Sequence, residues 1–380
     1  MKKFLLLLIL LLLPFKVFAL EDLVPNSVSS ILIEADSGKI IYEKEKDKRV
    51  SVASMTKMVA QIIILEEIEK GHIKWSDVVT VSRNASGMGG SQIYLEEGEK
   101  ITIEDLMKGI SVASGNDATV AMAEVISGSE EKFVKKMNQK IKELGLKNTH
   151  FSNCTGLDTD DHYSSSYDMA MIARDLVVNH SEILRFSSIY EDYLREDTDR
   201  KFWLVNTNKL ISFYDGADGL KTGHTDAAGY CLAATAKRND LRLIAIVLGE
   251  KDSKVRNAET VSLLDYGFNN VKLKKIVNKG SVVKKIEVNK ANKDIINVKL
   301  KNNLNVVENS GINNKKYKFS VKVNDIKLPI KKDSVVGKIE ALYKNKVVST
   351  GELIVDEDIE ELSYLELLKE NLMNVVFGNI

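Results

Sequence analysis

The sequence predicts an α+β fold in three parts: an antiparallel sheet with helices packed on it, a small all-β domain, and a C-terminal amphipathic helix. The first part is indicated by the order of its patterns, in which a β-hairpin is followed by several helices and then by paired strands. Short alternations of Val, Ile and Lys beyond residue 270 are typical of strands. An apolar stripe at helical spacing in residues 359–377 predicts the last part.

The elements of the first part follow from local patterns. Two apolar runs, residues 30–33 and 39–42, flank an Asp-Ser-Gly turn and predict the β-hairpin. Apolar periodicity predicts helices at 55–70, 103–127, 130–144 and 167–178, and strands at 229–236 and 241–249. We expect the hairpin and the late strands to share one sheet, so that the sheet joins both ends of the domain.

The composition is that of a chain that buries a core. Of 380 residues, 44% are hydrophobic and 28% are charged, which argues against disorder. The formal net charge is +0, so we expect no affinity of the whole chain for nucleic acid. Five histidines without a His-Glu-x-x-His pattern, together with only two cysteines, predict no metal site, and no cofactor is expected.

Charge is distributed unevenly along the chain and suggests where the domains divide. Residues 270–357 hold 20 lysines and nine acidic residues, a surplus of +11. Residues 358–380 hold one lysine and five acidic residues. We therefore expect the first domain to end at residue 269, a β-rich domain at 270–357, and a separate helix at 358–380.

Residues 1–19 have the pattern of a secretory signal peptide. They combine a positively charged start, an apolar run of ten residues from Phe4 to Leu13, and a small-residue cleavage site ending at Ala19. Ten apolar residues fall short of the ~20 needed to span a bilayer as a helix. A buried N-terminal helix is the alternative interpretation. We expect the mature protein to act outside the cytoplasm.

Cys154 and Cys231 are the two cysteines of the chain. In an oxidising compartment they are compatible with a disulfide, and equally with two separate buried thiols. The sequence leaves both alternatives open, because it does not establish whether the two Cα atoms lie within bonding distance.

Ser54 and Lys57, in Ser54-Met55-Thr56-Lys57, lie at the start of the helix predicted for 55–70. At this spacing the two side chains lie one above the other on one helix face. A neutral lysine can take the hydroxyl proton and make the serine a nucleophile, provided that burial or a nearby cation lowers the lysine pKa. Taken alone, Ser54 is equally well explained as a helix N-cap.

Two further motifs carry polar groups. Ser114-Gly115-Asn116 lies at a break in a helical region, where serine can relay a proton and asparagine can clamp an amide; ordinary loop chemistry is the alternative. The segment from Lys221 to Thr225 precedes a predicted strand. Its cation, hydroxyl and glycine suit an extended peptide that ends in a carboxylate, whereas a lysine-rich turn is the alternative.

Together the three motifs form a signature: Ser-x-x-Lys, then Ser-x-Asn 60 residues on, then Lys-Thr-Gly 107 residues later. The chain resembles the low-molecular-mass penicillin-binding proteins, the serine-type D-alanyl-D-alanine carboxypeptidases of bacterial peptidoglycan, from about residue 25 to 380. The resemblance is strongest in Ser51–Lys57, Ser111–Ala118 and Asp218–Thr225. It implies a β-lactamase/transpeptidase-like catalytic domain at 25–269, a β-rich domain, and often a C-terminal membrane anchor.

The resemblance also implies how each residue of the first two motifs acts. Ser54 would be acylated by the penultimate D-Ala of a stem pentapeptide, with Lys57 as its base. Ser114 would relay the proton towards the leaving D-Ala, and Asn116 would hold both the substrate amide and Lys57. The backbone N–H groups of Ser54 and His224 would form the oxyanion hole.

The third motif would bind the substrate. Lys221, Thr222 and Thr225 would hold the terminal carboxylate, and Gly223 would let the substrate backbone approach. Arg256 resembles a family arginine near that carboxylate, although an exposed surface arginine is equally ordinary. The implied partners are peptidoglycan stem peptides ending in D-Ala-D-Ala and β-lactam antibiotics, and the implied process is cell-wall biogenesis and the control of cell shape.

Two rival functions share the signature. A class A β-lactamase needs a glutamate for deacylation, but residues 156–174 contain aspartates and no glutamate. The β-rich domain and the tail are also foreign to that class. A β-lactam sensor or peptidoglycan-binding protein that acylates once would normally follow transmembrane segments, and the sequence shows none.

The C-terminal tail is predicted to be an amphipathic helix. Its apolar stripe consists of Leu362, Leu365, Leu368, Leu372, Val375 and Val376. Such a stripe either lies in a membrane interface or docks on the protein. The polar side is acidic, so anionic lipid would repel it. We expect peripheral attachment to the outer face of the cell membrane, with docking on the protein as the alternative.

Overall fold

The computed structural model describes residues 22–309 and 316–369. The predicted signal peptide, and the predicted tail from residue 370 onwards, lie outside the described residues. In residues 22–270 the elements are, in chain order, β1 (Ser29–Glu34), β2 (Ile40–Lys44), α1 (Lys57–Glu69), β3 (Val78–Thr80), α2 (Arg83–Ser86), β4 (Lys100–Thr102), α3 (Ile103–Lys108), α4 (Asn116–Ser127), α5 (Glu130–Glu143), α6 (Ser166–Val178), α7 (Ile183–Ser187), β5 (Glu191–Leu194), β6 (Phe202–Val205), α8 (Leu210–Phe213), β7 (Ala217–Thr225), β8 (Gly229–Arg238), β9 (Leu241–Glu250) and α9 (Ser253–Asn270).

A five-stranded antiparallel sheet forms the centre of this domain, in the order β2-β1-β9-β8-β7. The predicted hairpin is β1 and β2, and β1 pairs with β9 from the far end of the domain. The α+β prediction, with one sheet joining both chain ends, is therefore confirmed. Strand β7 lies at the edge of the sheet, so one side of its backbone pairs with no strand of the described residues.

Both faces of the sheet are covered, because successive residues of a strand point to opposite sides. Ile31 and Ile33 belong to one core, and Leu32 between them belongs to the other. The first core contains α1, which is buried on nearly every side. The second contains Leu263 and Leu264 of α9, a helix that the sequence analysis missed because its apolar residues form no clear stripe.

Two predicted helices are more complex than a single α-helix. The helix expected at 55–70 begins as a 3₁₀ turn at Ala53–Thr56 and continues as α1. The helix expected at 103–127 is interrupted: α3 is followed by a π-turn at Gly109–Ala113, by Ser114 at φ +63°, and then by α4. Both irregular turns carry residues of the predicted site, so the departures from regular helix lie where the motifs are.

The second domain contains β10 (Val271–Val277), β11 (Val282–Glu287), β12 (Ile295–Leu300), β13 (Leu304–Asn309), β14 (Lys318–Val323), β15 (Val335–Tyr343) and β16 (Lys346–Val355). Strands β11-β12-β16-β15-β14 form one antiparallel sheet, and β10 pairs with β13. The predicted all-β character is confirmed. A separate apolar core fills this domain, with Val298, Leu300 and Leu353 fully buried or nearly so.

The start of the tail differs from the prediction. Ile359 is buried and forms a bridge with Ile330, and Glu361 forms one with Ala291. These residues complete the β-domain, so the helical part that the structure describes begins at residue 364, not at 359. Across residues 22–309 and 316–369, no helix has the length and apolar character needed to cross a membrane.

Candidate active site

Ser54 lies in the 3₁₀ turn Ala53–Thr56, which is held between two glycines from other parts of the chain. A Cβ on Gly156 would lie 1.9 Å from the carbonyl oxygen of Ala53, and one on Gly223 would lie 2.6 Å from that of Val52. Because neither glycine carries a side chain, both backbones approach the turn closely. The edge strand β7 therefore runs directly beside Ser54.

Lys57 is the first residue of α1, and its side chain is fully buried. Its Nζ lies 2.8 Å from Ser54 Oγ and donates a hydrogen bond to the carbonyl oxygen of Thr155 at 2.7 Å. Burial lowers the pKa of Lys57 to about 7. A large fraction of this lysine is therefore neutral at neutral pH, which is the form that can accept the proton of Ser54.

Ser114 and Asn116 carry buried polar atoms that have no partner among the described residues. These atoms are Ser114 Oγ and Asn116 Oδ1. The Asn116 amide nitrogen donates to the carbonyl oxygen of Gly89 at 2.7 Å. Asn116 therefore does not hold Lys57, and that expectation is wrong for this structure. Leaving buried polar groups unpaired is costly, and a bound peptide can complete both.

Lys221 and Thr222 lie on β7, so the third motif forms the edge strand itself and, as predicted, precedes the next strand, β8. Lys221 is almost completely buried, and its Nζ donates to the carbonyl oxygen of Thr222 at 3.0 Å. Burial, with the charges of Lys57 and Arg256, holds the pKa of Lys221 well below its usual range. An anion bound here would restore the charged form of the lysine.

The remaining members of the third motif face different partners. The His224 ring packs against Tyr230, with centroids 4.0 Å apart. The Thr225 hydroxyl donates to Asp158 Oδ1 at 2.9 Å, so it is engaged by a carboxylate of the protein itself. Arg256 on α9 is only 5% exposed, which excludes the alternative of an ordinary exposed surface arginine.

Several residues that shape the site were missed by sequence reasoning. Thr155 contributes only a backbone carbonyl, for which side-chain type gives no signal. Thr207 accepts a hydrogen bond from the Thr222 hydroxyl at 2.7 Å. Buried Asp117 accepts the backbone N–H groups of Ile93 and Leu95 and so ties α4 to the segment beside the site. The sequence signal that could have identified Asp117 is its position: an acidic residue directly after the second motif, within an otherwise apolar helical segment.

The cysteines are free. Cys154 and Cys231 are both buried, and neither takes part in a disulfide. Of the two alternatives left open by the sequence, two separate thiols is therefore the correct one. Within the described ranges, no group of three or more His, Cys, Asp or Glu side chains is placed to hold a metal ion.

The arrangement combines a serine, a buried amine within hydrogen-bond distance of it, and two further buried cations beside an edge strand. The serine and the amine can perform acyl transfer, in which the hydroxyl attacks a carbonyl as the amine takes its proton. Lys221 and Arg256 can hold an anion, and the open edge of β7 can pair with an extended peptide. Such a site suits acyl transfer on a peptide that ends in a carboxylate.

Comparison with known proteins agrees with this chemistry. The family model described as D-alanyl-D-alanine carboxypeptidase, of the peptidase S11 group, matches residues 19–252. The model described as the C-terminal domain of penicillin-binding protein 5 matches residues 272–361. The D-alanyl-D-alanine carboxypeptidase DacF of Bacillus subtilis (strain 168) is 44% identical over 353 residues, which cover 93% of this chain and 90% of that protein.

Two solved structures are similar to this chain over different shares of its length. Penicillin-binding protein 5 from Haemophilus influenzae has a TM-score of 0.71 and 31% identity, covering 88% of this chain and 98% of that one. Penicillin-binding protein D2 from Listeria monocytogenes, in the ampicillin-bound form, has a TM-score of 0.58 and 29% identity, covering 64% of this chain and 97% of that one. The likeness to the Haemophilus influenzae structure therefore extends over both domains.

Proposed function

This chain belongs to the family of serine-type D-alanyl-D-alanine carboxypeptidases, and from that premise we propose that Ser54 is its nucleophile and Lys57 its general base. The enzyme removes the terminal D-Ala from peptidoglycan stem pentapeptides and binds penicillins. The observation that carries the assignment of roles is the placement of Lys57 Nζ, 2.8 Å from Ser54 Oγ on a fully buried side chain.

In the acylation step, Lys57 Nζ takes the proton of the Ser54 hydroxyl as Oγ attacks the carbonyl carbon of the penultimate D-Ala. The backbone N–H groups of Ser54 and His224 stabilise the oxyanion, a contribution of about 2.7–4 kcal/mol per donor where it has been measured by mutation. The proton passes through Ser114 to the nitrogen of the departing D-Ala as the C–N bond breaks. Water then hydrolyses the ester on Ser54.

The substrate lies along the open edge of β7 as an added strand. Its terminal carboxylate is bound by Lys221, Thr222 and Arg256, with Thr225 at the end of the strand. Gly223 leaves room for the substrate backbone, and His224 contributes its N–H group. Lys221 and Arg256 support this placement, because burial disfavours their charged forms and a bound carboxylate would offset that cost.

A β-lactam enters the same site. Its carboxylate meets the same cations, and Ser54 Oγ attacks the lactam carbonyl in place of the peptide carbonyl. The ring opens, but the amine that leaves the carbonyl stays tethered to the acyl group. The leaving group therefore continues to block the path of water, and the acyl-enzyme persists.

The family match favours this function over a class A β-lactamase, since it includes a C-terminal domain that such enzymes lack. A sensor that is acylated only once differs from a carboxypeptidase in that it does not turn over its substrate. Incubating the protein with a muropeptide pentapeptide and following tetrapeptide and free D-Ala by mass tests this directly. Many equivalents of D-Ala per enzyme are expected, and release that stops at one equivalent would overturn the proposal. Ser54→Ala is the matched control and should release none.

The location of the enzyme is also part of the proposal. The signal-peptide pattern at 1–19 supports export, and the substrate lies outside the cytoplasm. In the tail, Tyr364, Leu365 and Leu368 are 80%, 75% and 47% exposed, which favours a membrane over docking on the protein as the partner of this apolar face. The enzyme would thus act as a peripheral protein on the outer face of the cell membrane.

A further inference from the structure

The turn at residues 153–156 contacts Lys57, the proposed base, from a part of the chain distant from α1 in the sequence. The carbonyl oxygen of Thr155 accepts a hydrogen bond from Lys57 Nζ at 2.7 Å, while Ser54 Oγ lies 2.8 Å from the same nitrogen. A neutral amine has two N–H bonds and one lone pair. If one N–H is committed to Thr155, rotation about the last side-chain bond is restricted, and the lone pair can be kept towards the Ser54 hydroxyl.

Two side chains hold this turn in place. Asn153 Oδ1 accepts three hydrogen bonds: from the backbone N–H of Gly156 at 2.7 Å, and from the N–H and the hydroxyl of Thr155 at 3.2 and 3.1 Å. Glu130 Oε1, in the first turn of α5, accepts from the N–H of Cys154 at 3.1 Å and from its thiol at 3.3 Å. Thr155, whose carbonyl contacts Lys57, is thus held through the backbone of both its neighbours, Cys154 and Gly156.

Close packing against the Ser54 turn restricts how this turn can shift. Gly156 has φ +89°, and its Cα packs so closely on Ala53 that a Cβ would lie 1.9 Å from the carbonyl oxygen there. A change in the turn is therefore transmitted to Lys57 and to the neighbour of Ser54 together. This coupling gives residues outside hydrogen-bond reach of the substrate a route to affect the chemistry.

We propose that Asn153 and Glu130 are positioning residues for this reaction: they hold the Thr155 carbonyl on Lys57 Nζ and thereby aim the lone pair of the base at Ser54. The inference rests on the proposed function, since it requires Lys57 to be the base. It assigns to two polar side chains, neither of which touches the substrate, a share of the orientation on which proton transfer depends.

The charged and titratable groups around Lys57 come from three directions. They are Asp117 on α4, Cys154 in the turn itself, and Lys221 on β7. Asn153 is uncharged, so Asn153→Ala changes the hydrogen bonding of the turn and leaves these charges as they are. Any change that Asn153→Ala causes in the titration of Lys57 can therefore be measured without a change in the local charge.

The test is single-turnover acylation by a chromogenic β-lactam, measured against pH in wild type, Asn153→Ala and Glu130→Ala. We expect the limiting acylation rate of both variants to fall by about tenfold or more, because general-base catalysis as a whole contributes 10²–10⁴. Substrate affinity should change little. The acidic limb of the profile should move to lower pH, since the ammonium form loses a charge-assisted hydrogen bond.

Two further variants separate positioning from simple destabilisation. Glu130→Gln keeps an acceptor oxygen for Cys154 and should recover most of the rate. Asn138→Ala removes two hydrogen bonds to the backbone of Phe151, a few residues before the turn, and should lower stability without moving the pH limb. If Asn153→Ala loses no more rate than Asn138→Ala and its limb stays in place, the proposal is wrong. Labelling that survives Ser54→Ala would instead overturn the proposed function.

Discussion

Lys57 Nζ lies 2.8 Å from Ser54 Oγ, although the lysine side chain is fully buried and no carboxylate of the described residues lies within salt-bridge distance of it. Burying an ammonium group without a counter-ion is expensive, so the protein favours the neutral amine. The 3₁₀ turn before α1 brings the hydroxyl to this amine, and Thr155 accepts one of its hydrogens. One geometric relationship therefore supports both proposed roles, Ser54 as the nucleophile and Lys57 as the base.

Replacing Lys57 with arginine should stop acylation while keeping a positive charge at the site. A guanidinium remains protonated at any working pH and cannot take the proton of Ser54. Covalent labelling by a fluorescent penicillin is the measurement, and we expect no labelled band within the time that labels wild type completely. Thermal unfolding of Lys57→Arg serves as the control for folding. Normal labelling by a folded Lys57→Arg protein would show that another group is the base.

Acylation by a β-lactam should depend on pH through Lys57. Burial lowers the pKa of this lysine to about 7, so the amine is protonated and inactive below that pH and becomes neutral above it. The acylation rate should therefore rise about tenfold per pH unit well below pH 7 and level off above it. The rate is measured under single-turnover conditions, where hydrolysis of the ester does not contribute. A rate that is constant from pH 5 to 9 would contradict this assignment.

Lys221→Ala should weaken turnover of substrates that end in a free carboxylate. The contact between this cation and the carboxylate is charge-assisted, and its loss should reduce kcat/KM by two orders of magnitude or more, on the order of 3 kcal/mol. A peptide with an amidated terminus makes no such contact. On the amide, wild type and Lys221→Ala should therefore converge, and a difference that persists there would exclude the role.

Gly156→Ala should disrupt the site, and Gly145→Ala offers a matched control. Both glycines have positive φ, at +89° and +71°, so alanine costs roughly 1–2 kcal/mol of backbone strain at either position. A Cβ on Gly145 would meet no atom of the described residues within 4 Å, whereas one on Gly156 would overlap the Ala53 carbonyl. Urea unfolding should show a larger loss of stability for Gly156→Ala, together with loss of penicillin labelling. Equal losses of stability in the two variants, with labelling retained, would contradict this view of the turn.

The parts of the site that the sequence predicts are those carried by side-chain identity. Ser54, Lys57 and Lys221 have types that only certain chemistry requires, and the structure brings all three to one place. Thr155 acts through its backbone, so no residue type could have marked it. The resemblance implied a contact between Asn116 and Lys57. Instead, the Asn116 amide nitrogen donates to the carbonyl oxygen of Gly89, a contact between segments distant in the sequence that no local pattern predicts.

The fold shows the same division between local and long-range information. The hairpin of β1 and β2 follows from alternation and a glycine turn, both of which are local. The helix α9 has no clear apolar stripe: it buries Leu263 and Leu264, but it also packs on Leu32 and Leu243 through Gly267, which has no side chain to mark the contact. The predicted end of the β-domain, at residue 357, was a few residues too early. Ile359 fits a helical stripe and a strand bridge equally well, so the sequence pattern did not assign it to the β-domain.

Removing the tail tests whether it attaches the enzyme to the membrane. The structure shows where the deletion should begin. Ile359 is buried in the β-domain, and the Leu362 N–H donates to the carbonyl oxygen of Lys290. A deletion of residues 363–380 therefore spares the β-domain, whereas a deletion from residue 358 would damage it. The shortened protein should release D-Ala at the wild-type rate, because no residue of the active site is lost. It should also move from the membrane fraction to the soluble fraction when cells are lysed.

The same experiment distinguishes the two forces that can hold the tail. Apolar burial contributes about 0.8 kcal/mol per buried CH₂ and survives high salt, whereas attraction between the lysine-rich β-domain and anionic lipid is screened. We therefore expect the full chain to resist a high-salt wash, and high salt to release any small part of the shortened chain that charge alone still holds on the membrane. Leu365→Ser with Leu368→Ser in the full chain is the matched variant, since both side chains are exposed, and it should weaken attachment without altering the fold. A shortened protein that still sediments with membranes, and a full chain that resists salt no better, would show that the tail is not the anchor.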